Sequence, residues 1–369
     1  VAVTVLLVTV VTRRVVRAAA AGLEVRCRLP EWADHGQVIS GTVELRSASR
    51  WFVPWAEVDV PSALTLGRGE PHREAIVLRP DSTIDVTLSL RCLQRGRHHL
   101  GPPTVRLGEP FGVMEHTIRT HDRAQVTVFP QIVALSALGL PSEFPFVEIP
   151  NSASLISDPT RITGVRDYVP GDPQSSIHWR ATARMQRLVV KEHERGESRD
   201  TIVCLDLSSA GYARGEAQPS AELAITVAAS VLQHTIVTQR LPAGLRSAGW
   251  GSASTAPSRD VNVSPRDDRS HLRHMLELLA VAPTGGDRPL TEVLIGIGTG
   301  LSTGTTLLVI TGRLDAALSA MLLQLRRTGA AVTVALTGPS ADDTDFSASH
   351  LWMPIYRVAS HDDLHQLAR

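Results

Sequence analysis

Thr201-Ile-Val-Cys-Leu-Asp206 is an almost unbroken apolar run that ends on a carboxylate. A run this short, apolar on both faces, belongs to a strand covered on both sides, as in parallel sheets. Further runs of this kind occupy residues 306–311, 331–336 and 353–358. Helical spacing between and around them predicts helices at 221–234, 272–279 and 315–327, the last closed by Gly329 just past its end. Alternating strands and helices specify a doubly wound, mostly parallel α/β domain over residues 201–369. The Gly-, Ser-, Pro- and Asp-rich stretch 242–268 reads as a long loop.

Upstream the period changes to two. In Thr83-Ile-Asp-Val-Thr-Leu-Ser-Leu90, residues Ile84, Val86, Leu88 and Leu90 share one face, the mark of a half-buried antiparallel strand. Similar runs at 24–29, 38–45, 104–107 and 125–129, with turn residues between them and no helical stretch, predict an N-terminal antiparallel β-sandwich over residues 23–130. Residues 131–200 connect it to the α/β domain. The opening run 1–12 is shorter than the ~20 residues a membrane helix needs. It fits a buried strand, and with Arg13, Arg14 and Arg17 behind it also fits the cytoplasmic end of a spanning helix.

The 369 residues are 43% hydrophobic, enough for packed cores, which excludes wholesale disorder. Lys+Arg of 37 balance Asp+Glu of 37, so no overall basic field attracts nucleic acid, and any such binding must be local. Cys27, Cys92 and Cys204 are far apart and form no C-x-x-C pair, which argues for a reducing compartment and against a zinc knuckle.

The segment from Gly164 to Glu194 is the densest in the chain. Val169-Pro170-Gly171-Asp172 has the Pro and Gly placement of a type II turn. Asp172 with Pro173 then predicts a capped helix start and a helix over 173–184. On that helix Trp179 and Ala183 face one way and Arg180 and Arg184 another, with Arg187 just beyond. Residues 188–194 read as a strand leading into the sheet of the last domain, so the segment is expected to join the two domains as structure. Among the basic residues only Lys191 is a lysine.

Gly164, Arg166, Tyr168, Gly171-Asp172, Ile177, Trp179, Ala183-Arg184, Leu188, Val190-Lys191 and Glu194 resemble the signature of the bacterial family called domain of unknown function fifty-eight. Arg95-Gly96, Leu100-Gly101-Pro102 and Glu109-Pro110-Phe111-Gly112-Val113 resemble that family's β-domain, whose usual phrase has Asp before Pro-Phe-Gly. The resemblance implies two membrane helices, a β-sandwich, the signature segment and a domain similar to von Willebrand factor type A. Residues 1–12 would then be the stub of a spanning helix, with the remainder cytoplasmic. It also implies partnership with a MoxR-type AAA+ ATPase and with transglutaminase-like membrane proteins, and no enzymatic activity.

A von Willebrand-type domain holds a divalent cation such as Mg through Asp-x-Ser-x-Ser after its first strand. Here Asp206 and Ser208 fit, while Ala210 brings no oxygen and Gly312 stands where the family often has an acidic residue. Asp315 is a possible substitute ligand. The alternative role for Asp206 and Ser208 is to satisfy loop N–H groups or cap a helix. Gly300-Leu-Ser302-Thr-Gly304 has the letters of a nucleophile elbow, but it appears in the reverse structural order, after a helix and before a strand. Arg166, Arg180, Arg184, Arg187, Lys191 and His178 would recognise an anion or an acidic surface, unless Asp167, Asp172, Glu192, Glu194 and Glu197 neutralise them internally. His361 and His365 are four apart on a predicted terminal helix, and Trp51, Trp55 and Trp179 are expected as core or interface anchors.

The sequence therefore predicts a non-enzymatic, membrane-tethered scaffold with no resident cofactor. Its candidate partner-binding residues are Arg166, Tyr168, Asp172, Trp179, Arg180, Arg184, Lys191 and Glu194. The alternatives are a hydrolase using Ser302 or a metal near Asp206, and an anion or nucleic-acid binder using the arginines.

Overall fold

The computed structural model describes residues 2–61, 72–108, 115–135, 157–169, 177–195, 200–213, 215–250, 259–297, 301, 305–339 and 353–360, with backbone alone at 2–9, 157–166, 191–195, 249–250, 259 and 297. The chain divides into two compact units, Val1–Ile132 with Arg273–Ala282, and Val133–Leu272 with Pro283–Arg369.

The first unit opens with helix α1 (Ala2–Ala21). Helix is thus the outcome for the opening run, and the strand reading fails because the apolar spacing continues through the basic part of the segment. Val16 and Ala19 are buried in the unit's core, while Val10, Val11, Arg13, Arg14 and Arg17 are exposed. The strands that follow are β1 (Leu23–Arg28), β2 (Trp32–Ala33), β3 (Val38–Ser47), β4 (Val53–Val60), β5 (His72–Leu78), β6 (Thr83–Arg91), β7 (Gly96–Leu100), β8 (Thr104–Gly108), β9 (Glu115–Arg119) and β10 (Ala124–Val128). They form sheets ordered β1-β3-β6, β2-β10-β7 and β5-β4-β8-β9, antiparallel except for the short β2–β10 pair. Alternation does what it predicts in β6, where Val86, Leu88 and Leu90 point inward beside Val43 and Leu45 of β3 and fill one core shared with β4, β8 and β10. Within this unit Arg95 donates to the carbonyls of Leu279 (2.7 Å), Ala280 (3.0 Å) and Ala282 (3.0 Å), satisfying a helix end that would otherwise lack partners.

The second unit carries a two-stranded antiparallel sheet, β11 (Ser157–Asp167) with β12 (Val189–Arg195), and the short helix α2 (Trp179–Met185) between them in sequence. β13 (Thr201–Leu205) begins a six-stranded sheet, followed in the chain by α3 (Ala217–Gln233), β14 (Ala243–Trp250), β15 (Arg259–Arg266), α4 (Arg269–Ala280), whose residues from Arg273 onward belong to the first unit, α5 (Leu290–Ile297), β16 (Thr306–Thr311), α6 (Ala316–Arg327), β17 (Ala331–Thr337) and β18 (Ile355–Val358). The order is β15-β14-β13-β16-β17-β18, all parallel except β15 at one edge. All five residues of β13 are buried, as its two-sided apolar composition requires. Ile202 and Cys204 pack with α5 and α6, and α3 lies along β13, β16 and β17. Burial pushes the Cys204 thiol up to about 12, so it acts as a small apolar side chain. Among the described residues one helix, Ala217–Thr238, is long and apolar enough to cross a membrane, and it is 78% buried within the protein.

Two expectations are corrected here. The described parts of 242–268 carry two antiparallel strands, β14 and β15, because pairing with the buried β13 overrides the glycine-rich composition. Gly244 is required at that point: a Cβ there would lie 2.6 Å from the Val263 carbonyl oxygen. The strand at 188–194 pairs with β11 in its own two-stranded sheet and does not enter the six-stranded one. It pairs antiparallel with β11 instead, from Val189 opposite Asp167 to Arg195 opposite Ser157.

Gly244→Ala is predicted to destabilise the second unit by about 1–3 kcal/mol through this close approach, read as a lower urea midpoint. An unchanged midpoint would show that the β14–β15 pair is not packed this tightly.

Candidate functional site

In an open parallel sheet, ligands bind beyond the carboxyl ends of the strands where the strand order reverses. Here that point lies between β13 and β16, since the chain passes from β13 to β14 on one side and returns to β16 on the other. Asp206 follows β13 and is 4% exposed. Its Oδ1 accepts from the Ser208 N–H (3.0 Å) and from Ser208 Oγ (2.7 Å), and its Oδ2 accepts from Thr311 Oγ1 (2.9 Å) at the end of β16. Ser208 Oγ also accepts from the Gly211 N–H (3.1 Å), capping the single 3-10 turn Ser209–Gly211. The Tyr212 hydroxyl donates to the Asp206 carbonyl (2.5 Å).

Tyr212 explains the glycine at 312. A Cβ on residue 312 would lie 2.2 Å from Tyr212 Cδ1, so the ring occupies the space an acidic side chain would need. The crevice is closed from within by a tyrosine and two hydroxyls. Sequence reading missed Tyr212 and Thr311, and the one local signal for them was the glycine placed directly after a buried strand. A shallow cleft of only about 80 Å³ remains outside this plug, lined in part by Asp206, Ser208, Ala210, Thr291, Arg313 and Asp315.

Burial raises the Asp206 carboxyl above its ordinary value of 3.8; hydrogen bonds from Ser208 and Thr311 work in the opposite direction, and nearby Asp315 adds to the rise. The donors do not fit a tightly held divalent cation. Such an ion wants six or more oxygens in its shell. Asp206, Ser208 and Thr311 supply one carboxylate and two hydroxyls, and these already satisfy one another. Ala210 adds none, and Asp315 Oδ1 caps α6 by accepting from the Leu318 N–H (2.7 Å). Among the described residues no group of three or more His, Cys, Asp or Glu gathers as a metal site would require.

The signature segment is organised differently from its sequence reading. α2 starts at Trp179, not near Pro173, because Ile177 forms a β-bridge with Val190 and His178 supplies the cap, its Nδ1 accepting from the Ala181 N–H (3.2 Å). Asp172 and the predicted turn at 170–172 lie outside the described residues, as do Ser302, Glu197, His361 and His365. Arg166 is opposite Val190, and Lys191 opposite Val165, in the β11–β12 pairing, with Glu194 further along β12; the side chains of these three are likewise outside the description. Tyr168 donates its N–H to the Leu188 carbonyl (3.0 Å), and Thr182 Oγ1 accepts from the Val189 N–H (3.2 Å). Arg187 pairs with Asp167 (3.1 Å). Trp179 is 66% exposed, Ala183, Arg180 and Arg184 are exposed beside it, and Trp51 is exposed as well, so neither tryptophan is a core residue. Trp55 is half-buried on β4.

These features define a mixed α/β protein with a closed crevice and an exposed Trp/Arg face. Residues 164–342 match the family described as "Protein of unknown function DUF58". The "Uncharacterized protein YeaD" of Bacillus subtilis (strain 168) is 25% identical over 219 residues, 57% of this chain and 48% of that protein, so the chain spans about half the length of this curated relative. Among solved structures, the CARDB domain of a Pyrococcus furiosus protein is 18% identical, with 29% of this chain and 86% of that chain covered and a TM-score of 0.22. The C-terminal domain of wzt is 12% identical, covering 30% of this chain and 75% of that one at a TM-score of 0.23. A beta-glucosidase from Listeria innocua is 14% identical, covering 29% and 16% at 0.17.

Two predictions follow from the plug. Gly312→Asp should destabilise the protein by about 1–3 kcal/mol or more through overpacking, and Tyr212→Ala in the same chain should relieve part of that loss; simple additivity of the two changes in a thermal melt would contradict the contact. The second concerns pH. The folded Asp206 carboxyl titrates above its unfolded value, so the folded state binds the extra proton and wild-type stability falls as pH rises from about 3.8 through the folded value. Asp206→Asn should therefore gain stability relative to wild type over that rise. A difference independent of pH in urea midpoints would rule this out.

Proposed function

We propose that this chain is a member of the DUF58 family and acts as a non-enzymatic, membrane-tethered adaptor that docks a protein partner. In this reading the first unit is a β-sandwich, the six-stranded domain is von Willebrand factor type A-like, and α1 continues a spanning segment with the remainder on the cytoplasmic side. The apolar start of α1 and the exposed Arg13, Arg14 and Arg17 after it support the tether. The partner in this reading is a MoxR-type AAA+ ATPase, with a transglutaminase-like membrane protein as a second associate.

The observation that carries the reading is Trp179, a large apolar side chain left in solvent on a short helix capped by His178. Trp and Arg are the residue types that dominate binding energy at protein interfaces. The closed crevice beside Asp206 supports a binding role over a catalytic one, since Asp206, Ser208 and Thr311 are engaged with one another.

The test is purification of the chain from its own membranes with identification of bound proteins. A MoxR-type ATPase should copurify, and Trp179→Ala should reduce its recovery by tenfold or so, the loss expected when an interface hot spot is truncated, with the thermal midpoint unchanged. Hydrolysis of a simple nitrophenyl ester by the pure chain, abolished by Ser302→Ala, would replace this reading with a hydrolase.

A further inference from the structure

The exposed face of α2 has a composition that selects its occupant. At about 100° per residue, Ala183 sits about 40° from Trp179, while Arg180 and Arg184 sit about 100° and 140° from it, so the four share one continuous arc. All four are exposed. Ala183 is too small to cover the indole. Among the described residues neither Arg180 nor Arg184 forms an ion pair, whereas Arg187, just beyond the end of the helix, is paired with Asp167. Internal charge balance thus accounts for one of the three arginines and leaves a pair of guanidinium groups, one helical turn apart, beside an uncovered aromatic ring.

Hydrogen bonds tie the helix carrying this face to β12. The His178 N–H donates to the Val189 carbonyl (2.9 Å) and the Thr182 N–H to the His178 carbonyl (2.9 Å), while Ile177, Val189 and Val190 are buried beneath. Gln186 ends the helix in the left-handed region (φ 53°). A face held this way loses little freedom on binding.

Resting on the docking reading above, we propose that this face receives an acidic amphipathic segment of a protein partner. Carboxylates one helical turn apart engage Arg180 and Arg184 in forked hydrogen bonds, and an apolar residue covers Trp179. Guanidinium groups match carboxylates bidentately. Two cations spaced this way on a chain of zero net charge fit a short acidic motif better than a phosphate backbone, which is gripped by many cations at once.

The experiment uses the full chain in detergent and a fluorescein-labelled peptide of repeated Glu-Glu-Leu-Leu, read by anisotropy, with the Gln-Gln-Leu-Leu peptide as its neutral counterpart. The Glu peptide should bind, weaken with salt, and bind roughly tenfold or more weakly to the Arg180→Glu/Arg184→Glu variant and to Trp179→Ala, as loss of charged hydrogen bonds or of an aromatic anchor requires. Arg180→Gln/Arg184→Gln, at unchanged thermal midpoint, should show an intermediate loss. Equal binding of the two peptides, or none of either, overturns the proposal. So does preferential binding of an oligo-dT strand or of phosphatidylglycerol vesicles that is lost in the charge-reversed variant. If Trp179→Ala lowers recovery of the copurifying ATPase while the arginine variants do not, the acidic occupant falls and the docking reading stands. If neither change alters recovery, the docking reading itself falls.

Discussion

The buried carboxylate of Asp206 is the constraint around which the second unit closes. It stands at the end of a strand buried on both faces, where an ionised group without partners would be very costly. Ser208 from the following turn and Thr311 from the neighbouring strand must donate to it, and that fixes the 3-10 turn and the ends of β13 and β16 relative to one another. Once the turn is fixed, Tyr212 falls across the carboxyl ends of the strands, and only glycine fits at 312. A position where parallel sheets commonly bind ligands is thereby spent on the protein's own packing.

The same logic separates the two clusters that sequence reading had singled out. Around Asp206 the polar groups satisfy each other. On α2, among the described residues, they do not: Arg180 and Arg184 are exposed beside Trp179, and His178 and Thr182 tie the helix to Val189 of β12.

Much of the fold was legible because its signals are local. Period-two alternation marked β6, and two-sided apolar runs marked β13, β16 and β17. Asp315 was read as the first residue of α6, and it is the residue that caps it. The failures share a cause. A helix was expected over 173–184, yet among the described residues Ile177 bridges Val190 and α2 begins at Trp179. Residues 242–268 looked like a loop by composition, yet the free edge of β13 recruits β14, and β14 recruits β15. Each time, a pairing partner distant in sequence outweighed the local preference.

The sequence alone determined the alternating strand β6, the two-sided strands β13, β16 and β17, the change from antiparallel to parallel organisation, the balance of charge, and Asp206 and Ser208 as a polar pair at a strand end. These depend on periodicity and spacing within about ten residues. Only the tertiary structure decided that Thr311 and Tyr212 complete that pair, that glycine at 312 serves the tyrosine ring, and that among the described residues Arg187 has an acidic partner while Arg180 and Arg184 have none. Those outcomes depend on which side chains meet across strands and turns, and hydrogen bonds and excluded volume act over ångströms in space regardless of separation along the chain.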